Sequence, residues 1–322
     1  MSFGSDTRNE LARLEGEKKC CVLAEIAGFI RMCGSIRLVG GGKVQLRVST
    51  ENPAVARLFV KLVKSYFTVG PELTISKSRG ALTKKAHVYE MVIGQESNAE
   101  QILRETGILV VREGCNAISE GILESLVKKK CCRRAYLRGA FLGAGVVSDP
   151  EKSYHMEFIC NNEVLAQDLK RLVNSFGLRS KIVVRKKNHA VYLKEAEQIS
   201  QLLTVLGAYG QVLEFENVRV KKEVRNRVNR KTNCDGANLD KTVNTAGRQL
   251  ADIRLLEEKV GLEALPEKLA QVARLRLENP EKSLVDLGAL LDPPLKKSGV
   301  NHRFLKLAEL AEKYRDGSGE GR

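Results

Sequence analysis

Tryptophan is absent, and tyrosine and phenylalanine bring the aromatic share to only 5%. That scarcity argues against a protein that grips single strands by stacking bases on aromatic platforms. No stretch approaches the roughly 18 uninterrupted apolar residues of a membrane span. The opening segment MSFGSDTRNELARLEGEKK is charged and amphipathic, without the apolar core of a signal peptide. A cytoplasmic protein with no membrane partner is expected. None of the eight cysteines (Cys20, Cys21, Cys33, Cys115, Cys131, Cys132, Cys160, Cys234) stands in a CxxC spacing. Adjacent pairs such as Cys131-Cys132 seldom bond to each other and are poor zinc half-sites. The expectation is reduced, mostly buried thiols, with no metal and no cofactor. The four histidines (His87, His155, His189, His302) lie far apart and offer no evident nucleophilic dyad with a cysteine. Acidic residues are in deficit: 39 Asp and Glu face 54 Lys and Arg, a formal charge of +15. Such a surplus attracts a polyanion and says nothing of fold.

What the chain has is an internal repeat. Its 322 residues, 43% of them hydrophobic, suffice for two or three domains. The segment Ile26-Ala-Gly-Phe-Ile-Arg-Met-Cys-Gly34 returns as Leu137-Arg-Gly-Ala-Phe-Leu-Gly-Ala-Gly145, with Gly28 and Gly34 each 111 residues before Gly139 and Gly145. Lys61–Tyr66 answers Arg171–Phe176, and Asn52 answers Asn162, all 110 apart. A period this long marks a duplicated domain. Residues 22–33 and 133–144 are rich in apolar and small side chains, so each is predicted to be a helix. Glycine weakens a helix, so the matched Gly28, Gly139 and Gly143 predict close helix–helix approach.

After the first helix, Ile36, Leu38, Val44, Leu46 and Val48 alternate with Arg37, Lys43, Gln45 and Arg47 around Gly40-Gly41-Gly42. That pattern predicts a hairpin with one buried and one basic face. A helix over about 53–67 and a hairpin over about 71–94 follow, the latter tipped by Lys77, Arg79, Lys84 and Lys85. The second copy keeps this order, and its late hairpin is tipped by Arg185, Lys186 and Lys187. Gly42-Lys43 is no P-loop, since Val44 replaces the required Ser or Thr, and Gly139-x-x-x-Gly143-x-Gly145 lacks the spacing of a dinucleotide fingerprint.

The duplicated nine-residue helix resembles the LAGLIDADG motif of homing endonucleases. The resemblance implies two motif helices packed at the centre of a saddle whose sheets straddle duplex DNA. In that family the residue before the final glycine is acidic and holds the catalytic metal. Here those positions are Cys33 and Ala144, neither of which offers a hard cation its oxygen ligands. The earlier acidic slot is Arg31 in one copy and Leu142 in the other, and the nearest carboxylate, Asp149, lies four residues beyond Gly145. The scaffold is expected without the hydrolytic chemistry.

Arg219, Lys221, Lys222, Arg225, Arg227, Arg230 and Lys231 set seven cations against Glu223. Next to the polar stretch Thr232–Asn238 they predict a basic connector, able to donate to phosphate oxygens on one side. Amphipathic helices are predicted over about 245–261 and 267–278. Then Ser283, Leu284, Val285, Asp286, Leu287 and Gly288 open a short helix to Leu291, with Ser283 as cap and Asp286 in its first turn. Pro293 and Pro294 end it, and after Lys296 and Lys297 a second helix is predicted from a Ser298 cap to about Arg315. Two helices joined by a short turn are the form of a helix-turn-helix. On a helical wheel Val300, Phe304, Leu307 and Ala311 make the buried stripe, opposite His302, Lys306, Glu309 and Lys313. Asn301, His302, Arg303 and Lys306 should then face base edges, while Lys296, Lys297 and the Ser298 and Gly299 amides hold phosphate.

The strings Ser283-Leu-x-x-Leu-Gly, Pro293-Pro294 and Lys297-Ser-Gly-Val-Asn-His-Arg303, with Asn229–Asp240 before them, resemble the WhiA family of bacterial regulators. That family also carries a degenerate LAGLIDADG domain in front. The resemblance covers all but the tail, 316–322, and implies roles in cell division, chromosome segregation and, in some lineages, sporulation. The expected fold is α+β: a duplicated LAGLIDADG homing-endonuclease-like saddle of two αββαββα repeats, followed by an all-α helix-turn-helix domain. Its expected limits are 1–218 (repeats about 20–110 and 131–210), a basic linker at 219–244, the helix-turn-helix domain at 245–315 and a disordered tail at 316–322. The expected function is non-enzymatic binding of double-stranded DNA in the nucleoid, with transcription or division proteins as further partners. Arg37, Lys43 and Arg47 are candidate saddle contacts. An active nuclease using other carboxylates and an RNA-binding scaffold are the rival readings.

Overall fold

The computed structural model describes residues 2–14, 18–39, 43–77, 87–94 and 98–315. The Gly40-Gly41-Gly42 turn, the tip residues Arg79, Lys84 and Lys85, and the tail lie outside them. Contacts divide the chain into two compact units, Met1–Glu223 and Val224–Arg322.

The first unit opens with helix α1 (Phe3–Leu11). The first repeat is α2 (Lys19–Cys33), β1 (Gly34–Val39), β2 (Lys43–Thr50), α3 (Pro53–Phe67), β3 (Glu72–Lys77), β4 (His87–Ile93) and α4 (Ala99–Glu105). A small hairpin, β5 (Leu109–Arg112) and β6 (Cys115–Ile118), precedes the second repeat. That repeat is α5 (Lys130–Ala144), β7 (Gly145–Val147), β8 (Met156–Cys160), α6 (Glu163–Asn174), β9 (Lys181–Arg185), β10 (Asn188–Leu193) and α7 (Ala196–Leu206). Both repeats are αββαββα, and their sheets share one topology, β1-β2-β4-β3 and β7-β8-β10-β9, with all pairs antiparallel. The matched asparagines act alike. Asn52 accepts from the Ala54 and Val55 amides at 2.8 and 3.2 Å, and Asn162 from the Leu165 amide at 2.7 Å, capping α3 and α6.

The motif helices begin three residues earlier than the apolar pattern suggested, at Lys19 and Lys130. They meet through glycine as predicted. A Cβ on Gly28 would stand 2.2 Å from the Tyr136 carbonyl oxygen, and one on Gly139 2.0 Å from that of Glu25. No side chain fits in that space. Around this pair Phe29, Ile30, Leu46, Val48, Phe59, Phe141 and Phe158 form one core. The predicted buried hairpin face holds only in part: Leu46 and Val48 are buried, Ile36 and Val44 half-buried, and Leu38 is 83% exposed. The far end of β1 extends past the elements that cover the sheet's inner face.

The long helix α8 (Tyr209–Lys259) crosses the division between the units. The segment 219–244, expected as a linker, is helical throughout, and the helix expected at 245–261 is the end of α8. In the second unit, α9 (Glu267–Glu278), α10 (Leu284–Ala289) and α11 (Lys297–Arg315) pack with the last turns of α8 around Ile253, Leu256, Val272, Leu287, Val300, Phe304 and Leu307. No helix among the described residues is long and apolar enough to cross a membrane.

Candidate nucleic-acid interface

Two places test the reading of a binding protein without hydrolytic chemistry: the ends of the motif helices and the outer surface of α11. At the first, Cys33 donates its thiol to the Phe29 carbonyl at 3.3 Å, and burial pushes that thiol up to about 12. Ala144 offers no donor. Arg31 donates through Nη1 to the Ser119 carbonyl and through Nη2 to that of Gly107 at 3.0 Å. Arg8 of α1 donates to the Gly145 carbonyl at 2.5 Å, its guanidinium 5.8 Å from the Phe141 ring centre. Burial lowers the proton affinity of both arginines from the ordinary value, yet a guanidinium stays a cation in a protein. Positive groups therefore occupy the helix ends where a magnesium site would need oxygens. Asp149 is used in its own turn, accepting from the Glu151 amide at 2.9 Å. Beside these ends lie two clefts in matched positions of the repeats. One, of about 730 Å³, is lined by Arg8, Glu51, Asn52 and Leu142; the other, of about 340 Å³, by Arg31, Asn161 and Asn162.

The register puts Arg37, Lys43 and Arg47 on one face of the first sheet, away from the core. Arg37 and Lys43 are exposed. Arg47 is not free: it donates to Gln45 Oε1 at 3.0 Å and pairs with Glu90 at 3.2 Å. On the second sheet Glu157 lies between His155 Nε2 at 2.8 Å and Arg185 Nη1 at 3.0 Å. Lys186 and Lys187, at the β9–β10 turn, are exposed as expected for a hairpin tip.

Along α8 the seven basic residues separate into two groups. Arg219 pairs with Glu216 at 3.3 Å, and Lys222 donates to the Pro150 carbonyl at 2.8 Å with its ammonium 5.1 Å from the Tyr154 ring centre. Lys221, Arg225, Arg227, Arg230 and Lys231 are exposed. The expectation that they point to one side fails because the segment is helical. At 3.6 residues per turn, Arg225 and Arg230 stand roughly 140° apart around the axis.

The second unit presents its polar residues outward. Ser283 caps α10 with a full capping box: its hydroxyl accepts from the Asp286 amide, and the Asp286 carboxylate accepts from the Ser283 amide, both at 3.3 Å. The helix ends at Ala289 rather than Leu291, so the connection to α11 runs over 290–296, longer than the short turn expected. It is tightly held. Leu295 donates to the Gly288 carbonyl at 2.9 Å, and a Cβ on Gly288 would stand 2.2 Å from the Leu295 carbonyl oxygen. Val285 and the two prolines, Pro293 and Pro294, are exposed, whereas Leu287 is buried and Leu284 half-buried.

Helix α11 starts at Lys297, so Lys296 takes the capping position expected of Ser298. The Lys296 carbonyl accepts from the Gly299 and Val300 amides at 2.9 and 3.2 Å. The Gly299 amide is thereby used, and the Lys297 and Ser298 amides remain open among the described residues. Val300, Phe304, Leu307 and Ala311 are buried, the stripe read from the sequence. Lys296, Lys297, Ser298, Asn301, His302 and Lys306 are exposed, and their side chains make no hydrogen bond or ion pair among the described residues. Arg303 is half-buried and donates to the Lys268 carbonyl of α9 at 3.2 Å.

Three family models divide the chain among them: the WhiA N-terminal LAGLIDADG-like domain at 19–109, the WhiA LAGLIDADG-like domain at 133–225 and the WhiA C-terminal HTH domain at 228–311. The chain belongs to the WhiA family. A relative from Alkaliphilus metalliredigens, named probable cell division protein WhiA, is 46% identical over 98% of this chain and 99% of its own length. One from Thermoanaerobacter pseudethanolicus, with the same name, is 47% identical over the same shares. The crystal structure of full-length DUF199/WhiA from Thermatoga maritima matches the fold at a TM-score of 0.58 and 24% identity, over 97% of this chain and 99% of that one.

For this WhiA-family member the sequence left three internal constellations unread. Glu25 is buried between the motif helices, where Arg138 reaches it with Nε at 2.8 Å and Nη2 at 2.5 Å. Burial raises the Glu25 carboxyl above the ordinary carboxylate range, and the Arg138 guanidinium opposes that rise. Arg276, 1% exposed, donates to Gln249 Oε1 at 3.1 Å and the Lys282 carbonyl at 2.6 Å, under the Phe304 ring. The available signal was a charged residue on an otherwise apolar helix face. Finally, Cys20, Cys21, Cys131 and Cys132, set aside as poor half-sites, bring their sulfurs within 4.8 Å of one another. Of the eight thiols only Cys132 and Cys160 are fully buried, fewer than expected, while Cys115 and Cys234 are exposed.

Proposed function

We propose that this chain is a non-enzymatic, sequence-specific regulator of transcription that binds double-stranded DNA. Reading of the sequence falls to α11, with Asn301, His302, Arg303 and Lys306 at base edges and Lys296, Lys297 and the Ser298 amide on phosphate. The observation that carries this is the division of α11. One stripe is buried in the second unit, and the adjoining first turns expose polar side chains that, Arg303 on the Lys268 carbonyl apart, nothing among the described residues engages. Groups left in that state are available to form bidentate or point contacts in a major groove.

The exposed part of the basic run, Arg225 to Lys231, adds sequence-independent attraction to phosphate. The LAGLIDADG-like domain contributes through Arg37 and Lys43 on its sheet face, and it does not cut. The cellular setting is cell division, the process in the names of the relatives above. Chromosome segregation and, where the lineage sporulates, control of sporulation genes follow from the WhiA resemblance, as does a place in the nucleoid. Mapping of bound DNA across the genome, with the full chain and an Asn301→Ala/His302→Ala/Lys306→Ala variant, tests the reading. Discrete sites lost in the variant are expected. Specific cleavage of duplex DNA with Mg²⁺ or Mn²⁺, abolished by replacing a sheet-face carboxylate, would overturn the non-enzymatic part.

A further inference from the structure

We infer that Cys20, Cys21, Cys131 and Cys132 form a tetrathiolate site for a structural zinc ion that clamps the first turns of α2 and α5 together. The pairs stand 111 residues apart, the period of the repeat, so the duplication carries two thiols to the start of each motif helix. The helices then bring the pairs face to face. All four sulfurs lie within 4.8 Å of one another, and Cys131 Sγ is 4.0 Å from Cys132 Sγ. Zinc–sulfur bonds of 2.3 Å in a tetrahedron set the sulfurs about 3.8 Å apart, so small side-chain rotations close the site.

The ends of the two helices supply a second, independent argument. Each starts at a lysine cap, Lys18 or Lys129, that makes no side-chain capping bond, and neither has an acidic residue in its first turn. Lys19, Lys128 and Lys130 add further exposed positive charge beside them. A helix N-terminus favours negative charge and needs acceptors for its free amides; here the fold places cations instead. Four thiolates around Zn²⁺ carry a net double negative charge, and their sulfurs accept hydrogen bonds. That is the counter-charge both helix ends lack. Thiolates select a soft or borderline ion, and a closed set of four sulfurs leaves no open position, the form of a structural zinc site. The ligands come two from each repeat, so the ion ties the halves of the first unit at the end of the helix pair opposite Cys33 and Ala144.

The test uses the full-length chain, purified without added metal or chelator, by elemental analysis and by Co²⁺ substitution after metal removal. One equivalent of zinc per chain is expected. Cobalt should give an intense thiolate charge-transfer band and tetrahedral d–d bands. Both signals should vanish in Cys20→Ser/Cys21→Ser and in Cys131→Ser/Cys132→Ser and persist in Cys115→Ser. If those variants fail to fold, the wild-type cobalt spectrum still decides. A folded wild type with no cobalt charge-transfer band overturns the inference. So does an iron chromophore, a disulfide among the four thiols in place of metal, or a spectrum that survives in a folded Cys20→Ser/Cys21→Ser variant.

Discussion

In the first unit Arg8, Arg31 and Arg138 turn inward, onto the Gly145, Ser119 and Gly107 carbonyls and the Glu25 carboxylate, and Arg47 and Arg185 pair on the sheet faces. In the second unit Lys296, Lys297, Asn301, His302 and Lys306 turn outward with no side-chain partner among the described residues. Arginines there are used internally too: Arg276 joins α9 to α8 and to the backbone before α10, Arg303 donates to the Lys268 carbonyl, and Arg315 pairs with Asp252 at 2.6 Å. The contrast assigns the units different work. The first unit engages these arginines with its own carbonyls and carboxylates, and of its exposed cations Arg37, Lys43, Lys186 and Lys187 lie on strands and a hairpin tip. A unit that holds one buried arginine to fix its helices, and leaves its first-turn residues free, is built to contact something else.

The largest break in this comparison comes from the helix pair. Gly139→Val sets a side chain against the Glu25 backbone, which has no room to retreat. It should cost more than about 3 kcal/mol and remove the first unit's cooperative thermal transition by calorimetry. Replacing Arg276 with Met comes next. It leaves Gln249 and the Lys282 carbonyl without their donor inside the second unit, an expected loss of about 3 kcal/mol in denaturant unfolding. Asn301→Ala touches no internal contact, so the melting temperature should stay put while specific duplex binding weakens by about 1–3 kcal/mol. Equal weakening on random DNA would remove Asn301 from base reading. The smallest effect is on salt dependence. Because Arg225, Arg227, Arg230 and Lys231 are spread around α8, only about half can face one duplex. Neutralising all four should lower the log–log slope by roughly 2, at about 0.9 per phosphate contact; an unchanged slope would make them a solvated face.

Much of this was legible in the chain. The 110- and 111-residue periods foretold two like repeats, and the 300–311 stripe foretold the buried side of α11. These signals are local or periodic. Contacts across the helix pair were not legible: Glu25 meets Arg138 across 113 residues, and only the crossing of the two helices aligns them. The cysteine pairs stayed unread for the same reason, since each alone is a weak half-site and the other half belongs to the sister helix. Helix α8 was missed because Thr232–Asn238 contains Thr, Asn, Asp and Gly, weak helix formers whose low propensity the flanking segments override. Leu38 misled in the opposite direction, because alternation predicts a buried face but not how far the covering elements reach.

Whether α11 or the sheet face of the first unit reads DNA sequence is decided by the ratio of specific to random duplex affinity in two full-length variants, Asn301→Ala/His302→Ala/Lys306→Ala and Arg37→Ala/Lys43→Ala/Arg47→Ala. Reading by α11 requires the ratio to collapse toward one in the first variant and to persist in the second. A ratio kept by the first and lost by the second would move sequence reading to the sheet face.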